Sequence, residues 1–186
     1  PVTLRFGRGV RAGLAEAIRS RRTLLVTGKD TLERAGCLGL LGPSVRRSSP
    51  VCPNPGDREI DRLLAEASDF EADCVVGFGG GSTMDAAKVV AMLHPHWPTI
   101  ADYRQREASQ PREPYLVQVP TTAGTGSEVT RWASLWNQGV KSSVDEAAGF
   151  ADLALVDPEL CHSLSGRLAL ATGLDAMSHA MESLWG

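Results

Sequence analysis

A chain of 186 residues with 42% hydrophobic content can form one packed domain, or one domain and the start of another. No apolar run reaches membrane-spanning length and the net charge is −3, so neither a membrane nor a nucleic-acid partner is expected. Cys37, Cys52, Cys74 and Cys161 are scattered without CxxC spacing and are expected to be free thiols. With no secretory leader at its start, the protein is expected to be cytoplasmic. The chain opens on Pro1 rather than methionine and stops at Trp185-Gly186 inside a helical pattern, so both ends are expected to be non-native.

In chain order, Leu14–Ile18 forms a short amphipathic helix and Thr23–Thr27 a buried strand. Thr31–Leu38 is a predicted helix ending near Gly39, and Pro50–Gly56 a proline-rich loop. From Asp57 to Phe70 the apolar residues Ile60, Leu63, Leu64 and Ala67 lie on one helical stripe. Asp73–Phe78 is a strand, Thr83–Leu93 a helix, and Pro95–Pro114 irregular apart from a possible short helix. Tyr115–Val119 is again a strand, Trp132–Trp136 starts a hairpin across Asn137-Gln-Gly139, and Leu153–Val156 is a further strand. The basic pairs Arg21-Arg22 and Arg46-Arg47 are placed at solvated strand ends. This alternation predicts an α/β fold, a parallel sheet with helices on both faces. After about residue 158 the pattern is helical only, which predicts the start of a second, all-helical domain.

Three motifs carry chemistry. Gly79, Gly80 and Gly81 follow a strand and precede a helix, so main-chain N–H groups could approach a diphosphate at a helix N-terminus. A tight strand-to-helix turn capped by Ser82, with Asp85 as its reciprocal partner, explains the glycines equally well. Asp85 and Lys88, three apart, are best read by spacing alone as a surface ion pair. The second motif, Thr121-Thr-Ala-Gly-Thr-Gly-Ser-Glu128, offers four hydroxyls and two glycines, suited to ribose and phosphate oxygens. The third is Asp175 and His179, one helical turn apart, which could share a divalent cation, with Glu182 orienting the histidine. Alone, that pair is better read as a surface contact, and a site would need His94, His96, His162 or residues past Gly186.

These stretches resemble the iron-containing (group III) alcohol dehydrogenases. Gly79-Gly-Gly-Ser-Thr-Met-Asp-Ala-Ala-Lys88 looks like that family's diphosphate turn, and Pro120–Thr130 like its nicotinamide-side loop. Asp157–Leu160 and Thr172–Glu182 look like the start of its helical, metal-binding domain, and Pro53-Asn54-Pro55 like a loop near the adenosine end. The resemblance implies a Rossmann-like dinucleotide-binding domain over residues 1–157 and an incomplete helical domain over residues 158–186.

It further implies that Gly79, Gly80, Gly81 and Ser82 hold the diphosphate and that Thr121, Thr122 and Lys141 lie near the nicotinamide ribose. Gly28, Asn54, Asp85 and Ser127 join this cofactor set, and Asp175 and His179 become two of four metal ligands, the others being histidines past this sequence. No catalytic residue is assigned beyond the metal ligands. The implied activity is hydride transfer between NAD(P)H and a small aldehyde or alcohol at Fe2+, or alternatively Zn2+, in a homo-oligomer.

Two departures from the family pattern stand out. Thr27-Gly28-Lys29 replaces the aspartate that many NAD-dependent members carry, which predicts acceptance of NADPH. Arg131-Trp132 places a guanidinium near the cleft, suited to an anionic substrate, and with Trp136, Asp157-Pro158 and Glu182–Trp185 it resembles phosphonoacetaldehyde reductases, which form 2-hydroxyethylphosphonate. The rival readings are a non-catalytic nucleotide-binding fragment and a zinc-dependent polyol dehydrogenase of glycerol type.

Overall fold

The computed structural model describes residues 2–137 and 139–185; Pro1, Gln138 and Gly186 lie outside them, and with Gln138 the middle of the expected Asn137-Gln-Gly139 turn. Six strands form one sheet: β1 (Thr3–Phe6), β2 (Thr23–Thr27), β3 (Val45–Arg47), β4 (Cys74–Gly79), β5 (Tyr115–Pro120) and β8 (Leu153–Val156). Their order is β1-β8-β5-β4-β2-β3 and every pairing is parallel. β6 (Trp132–Asn137) and β7 (Val140–Asp145) make a separate antiparallel hairpin in the predicted place.

Alternate residues of the central strands point to opposite faces. Leu24, Val26, Val75 and Leu116 pack beneath α3 (Asp57–Asp69), α4 (Gly81–Leu93) and the hairpin. Leu25, Val76, Phe78, Val117 and Val119 pack on the other face with Leu14 of α1 (Gly13–Ala17) and Leu32 of α2 (Thr31–Arg34). The predicted stripe on α3, Ile60, Leu63, Leu64 and Ala67, is buried. α4 is buried on almost every side, as its run of Ala, Val, Met and Leu requires.

Three predicted features differ. The helix expected over Thr31–Leu38 ends at Arg34, because Gly36 adopts φ 65° and the N–H groups of Gly36 and Cys37 close back onto Glu33 and Leu32. β1 and β3 were not foreseen: Leu4 and Phe6 are exposed, and β3 buries only Val45, so neither edge strand carries an apolar period. Arg46 and Arg47 therefore belong to β3, where Arg47 pairs with Glu33 at 2.6 Å and Arg46 lies over the Phe70 ring.

The connections leaving β2 and β4 diverge: β2 runs on to β3 on one side, and β4 leads by α4 to β5 on the other. The crevice at the carboxyl ends of β2 and β4 is thus the topological switch point, where open α/β sheets take ligands. α5 (Ile100–Arg104) is the short helix of the irregular segment, and α6 (Gly166–Glu182) follows β8 after a six-residue 3-10 helix over Pro158–Ser163. Leu168, Leu170, Leu174, Met177 and Met181 on α6 are exposed.

Candidate functional site

The first glycine turn delivers the chain from β4 into α4. Its backbone is extended at Gly80, with φ −80° and ψ −176°, so these glycines are needed for close approach and not for a left-handed turn. A Cβ on Gly79 would lie 2.7 Å from Thr83 Oγ1, and one on Gly81 would lie 2.9 Å from Thr125 Cγ2. The helix starts one residue before the predicted cap: Gly80 occupies the N-cap, and Ser82 sits inside the first turn. Ser82 Oγ instead accepts the N–H of Asn54 at 3.1 Å, tying the proline loop to the start of α4. Asn54 holds φ 60°, a conformation Asn tolerates. The first N–H groups of α4 have no partner within the helix, which begins at the carboxyl end of β4 beside the crevice, as an anion cradle requires.

The second glycine loop packs directly on the first, Thr122 Oγ1 lying 3.3 Å from the Cβ position of Gly80. Asp85 is not the reciprocal partner of Ser82. Its carboxylate accepts Ser127 Oγ at 2.6 Å and the Ser134 N–H at 2.9 Å. Nor is Lys88 at the surface. It is fully buried, donates to Trp132 O at 2.8 Å and Thr130 Oγ1 at 3.2 Å, and lies 3.8 Å from Asp85. Burial pushes its ammonium down to about 8, against the attraction of Asp85 and Glu128.

α6 crosses over this loop. Gly124, at φ 113°, approaches it so closely that a Cβ there would lie 2.3 Å from Thr172 O. The Gly124 carbonyl accepts from His179 Nδ1 at 3.2 Å. A carbonyl can only accept, so Nδ1 carries a proton, and in the neutral imidazole the lone pair is then on Nε2. That Nε2 lies 3.8 Å from Asp175 Oδ1, a separation that one cation with bonds of about 2.1 Å can span. The carboxylate and the imidazole therefore fit as half of a divalent-metal site. Among the described residues no group of three or more His, Cys, Asp or Glu could hold an ion.

None of the other histidines joins the pair. His94 is buried and bonded to Ala72 O and Ser68, and burial pushes its imidazole down. It is thus a core residue and not a surface turn. His96 faces Pro111 and Glu113, and His162 lines a different hollow with Arg11 and Arg34. Glu182 accepts from Ser178 and does not orient His179.

A cavity of about 850 Å³ lies between these parts. It brings together eight of the sequence-predicted residues: Asn54, Gly81, Ser82, Asp85, Ser127, Lys141, Asp175 and His179. Gly28, Gly79, Gly80, Thr121 and Thr122 sit at the carboxyl ends of β2, β4 and β5, along the crevice and not on the cavity wall. Arg131 does not line the cavity; it pairs with Asp145 at 2.5 Å and its guanidinium lies over the ring of Trp132. Lys141, opposite Trp136 in the hairpin, is the lysine on the wall. Thr130, Trp132, Ser134 and Trp136 also line the cavity and were not singled out for a site role. Their hairpin is carried there by Trp136 N–H donating to Pro55 O and by the buried Lys88. The unbroken apolar run Val89–Leu93 after Lys88 is the signal that could have placed that lysine inside.

The profile of the iron-containing alcohol dehydrogenases matches residues 1–158. The chain is 39% identical over 145 residues to long-chain-alcohol dehydrogenase 1 of Geobacillus thermodenitrificans, covering 76% of this chain and 37% of that protein. It is 38% identical over 136 residues to the sulfoacetaldehyde reductase of Bilophila wadsworthia, covering 71% and 35%. The crystal structure of sulfoacetaldehyde reductase from Bifidobacterium kashiwanohense in complex with NAD+ superposes with a TM-score of 0.89 at 34% identity, covering all of this chain and 52% of that one. The chain thus spans about half or less of the length of these relatives. It belongs to the iron-containing alcohol dehydrogenase family.

Proposed function

We propose that this chain is the nucleotide-binding part, with the first metal-binding helix, of an NAD(P)H-linked oxidoreductase that interconverts a small aldehyde and its alcohol. The observation that carries the reading is the meeting of two elements in one cavity: the glycine-turn start of α4 and the Asp175–His179 pair of α6. Residues 1–157 act as the dinucleotide-binding domain and residues 158–186 begin a helical domain, supported by the exposed apolar residues of α6, which need further protein to cover them.

In this reading the free N–H groups of Gly81 and Ser82 hold the diphosphate, and the crevice glycines Gly28, Gly79 and Gly80 leave room for the rest of the nucleotide. Thr121 and Thr122 at the end of β5, with Asn54, Asp85, Ser127 and Lys141, complete the cofactor set. Asp175 Oδ1 and His179 Nε2 would hold the cation, Fe2+ in preference to Zn2+. Bound there, a divalent metal supplies Lewis acidity that polarises a carbonyl oxygen. The protein's own task is to fix His179 through the Gly124 carbonyl, so that the lone pair of Nε2 stays directed at the ion.

The substrate class is a short aldehyde with an anionic head, phosphonoacetaldehyde foremost. Two sulfoacetaldehyde reductases among the relatives are named for an aldehyde of that kind, and the cationic Lys141 lines the cavity opposite Trp136 in the hairpin. Arg131, engaged with Asp145, would contribute only after that pair opens. Gly28 and Lys29 at the end of β2 favour acceptance of NADPH, because no carboxylate there repels a 2′-phosphate.

The test is aldehyde-dependent NADPH oxidation by the full-length, iron-loaded protein, with phosphonoacetaldehyde, sulfoacetaldehyde and butanal compared. Turnover is expected with all three, with kcat/KM higher by about tenfold or more for the anionic pair, the scale of one charge-assisted contact. Nucleotide binding without turnover of any aldehyde would instead support a non-catalytic module.

A further inference from the structure

Ser127, Thr130, Trp132 and Ser134 carry the chain from the second glycine loop into the hairpin along the cavity wall. Two side chains one turn apart on α4 fasten all four. Asp85 takes Ser127 and Ser134, while Lys88, lying behind the wall, takes Thr130 and Trp132. An ammonium buried between Ala86-Ala87 and the apolar run Val89–Leu93 is costly, and an apolar side chain of similar volume would serve packing as well or better. We propose that Lys88 is a positioning residue, whose charged side chain holds the Thr130–Ser134 segment where it shapes the nicotinamide end of the cavity.

The charged groups facing the ammonium are Asp85 from α4 itself and Glu128 from the adjoining 3-10 turn. Burial leaves the proton only loosely held, down to about 8. A charged donor bonds roughly twice as strongly as a neutral one, so the hold on Thr130 and Trp132 slackens as pH rises through that value.

The test uses the full-length protein, comparing wild type with Lys88→Met at about pH 7 and about pH 9.5. Hydrogen exchange of the Thr130–Ser134 amides, corrected for intrinsic rate, is read beside NADPH affinity by fluorescence titration. At the lower pH, Lys88→Met is expected to speed exchange in this segment about tenfold with β4 and β5 unchanged, and to weaken NADPH about tenfold, the loss of one charged hydrogen bond. At the higher pH, wild type is expected to move towards the variant on both readouts. Unchanged exchange in the variant, or acceleration spread evenly through the sheet, would overturn the proposal. Should the variant fail to fold, wild type alone decides, and a segment whose corrected exchange ignores pH contradicts the role. The affinity readout rests on the proposed NAD(P)H reading and the exchange readout does not, so absence of NADPH binding by wild type counts against that reading alone.

Discussion

Burial pushes the Lys88 ammonium down to about 8, while an unfolded chain keeps the proton to about 10.5. Between those values the unfolded state binds more protons than the folded one, so stability rises with pH across that window. Below pH 8 the folded protein carries the full cost of the buried charge, about 3 kcal/mol for a displacement of this size. Denaturant titrations from pH 7 to 11 are expected to show this rise in wild type and a much flatter profile in Lys88→Met. Taking the difference between the two removes the contribution of other groups. Equal slopes would mean that the lysine titrates at its ordinary value and that its burial is misjudged.

Among the elements, the contact between the second glycine loop and α6 decides whether the Asp175–His179 pair faces the crevice. Gly124 combines φ 113° with a Cβ position 2.3 Å from Thr172 O, so a methyl there meets helix backbone that cannot simply rotate away. Gly124→Ala is expected to lift α6 and break the bond that fixes His179. Losing such a support costs about 10- to 100-fold in metal affinity. Competition with a chelator measures this, and Gly126→Ala is the control, since nothing lies within 4 Å of its Cβ position. A similar loss in both variants would trace the effect to backbone strain and not to the helix contact.

The elements that position these groups were largely legible from periodicity and turn chemistry. β2 and β8 follow unbroken apolar runs, α3 its stripe, and the hairpin strand β6 the run from Trp132. Edge strands β1 and β3 were not, because a strand that buries one side chain or none leaves no period to find. Local spacing also misassigned Asp85 and Lys88. An i, i+3 pair of opposite charge signals an ion pair, but whether it lies outside or inside depends on what packs over the helix. Here that is a hairpin more than forty positions further along.

At the scale of the whole molecule, the site is assembled from widely separated stretches: the proline loop at Asn54, the start of α4, the second glycine loop, the hairpin, and α6. Motif recognition found the pieces, and only the doubly wound sheet brings them to one crevice. The cysteines are free in the structure, with Cys74 buried and its thiol pushed up to about 11 by burial, so no covalent link constrains the arrangement. In the proposed function, nicotinamide and metal meet between the glycine turns and α6. Anomalous diffraction at the iron edge from crystals of the full-length, iron-loaded protein with NADPH tests it most directly. One strong peak bonded to Asp175 and His179 is expected, with the nicotinamide ring in the same cavity. A peak bound elsewhere, or a nicotinamide ring on the far side of the sheet from α6, would contradict it.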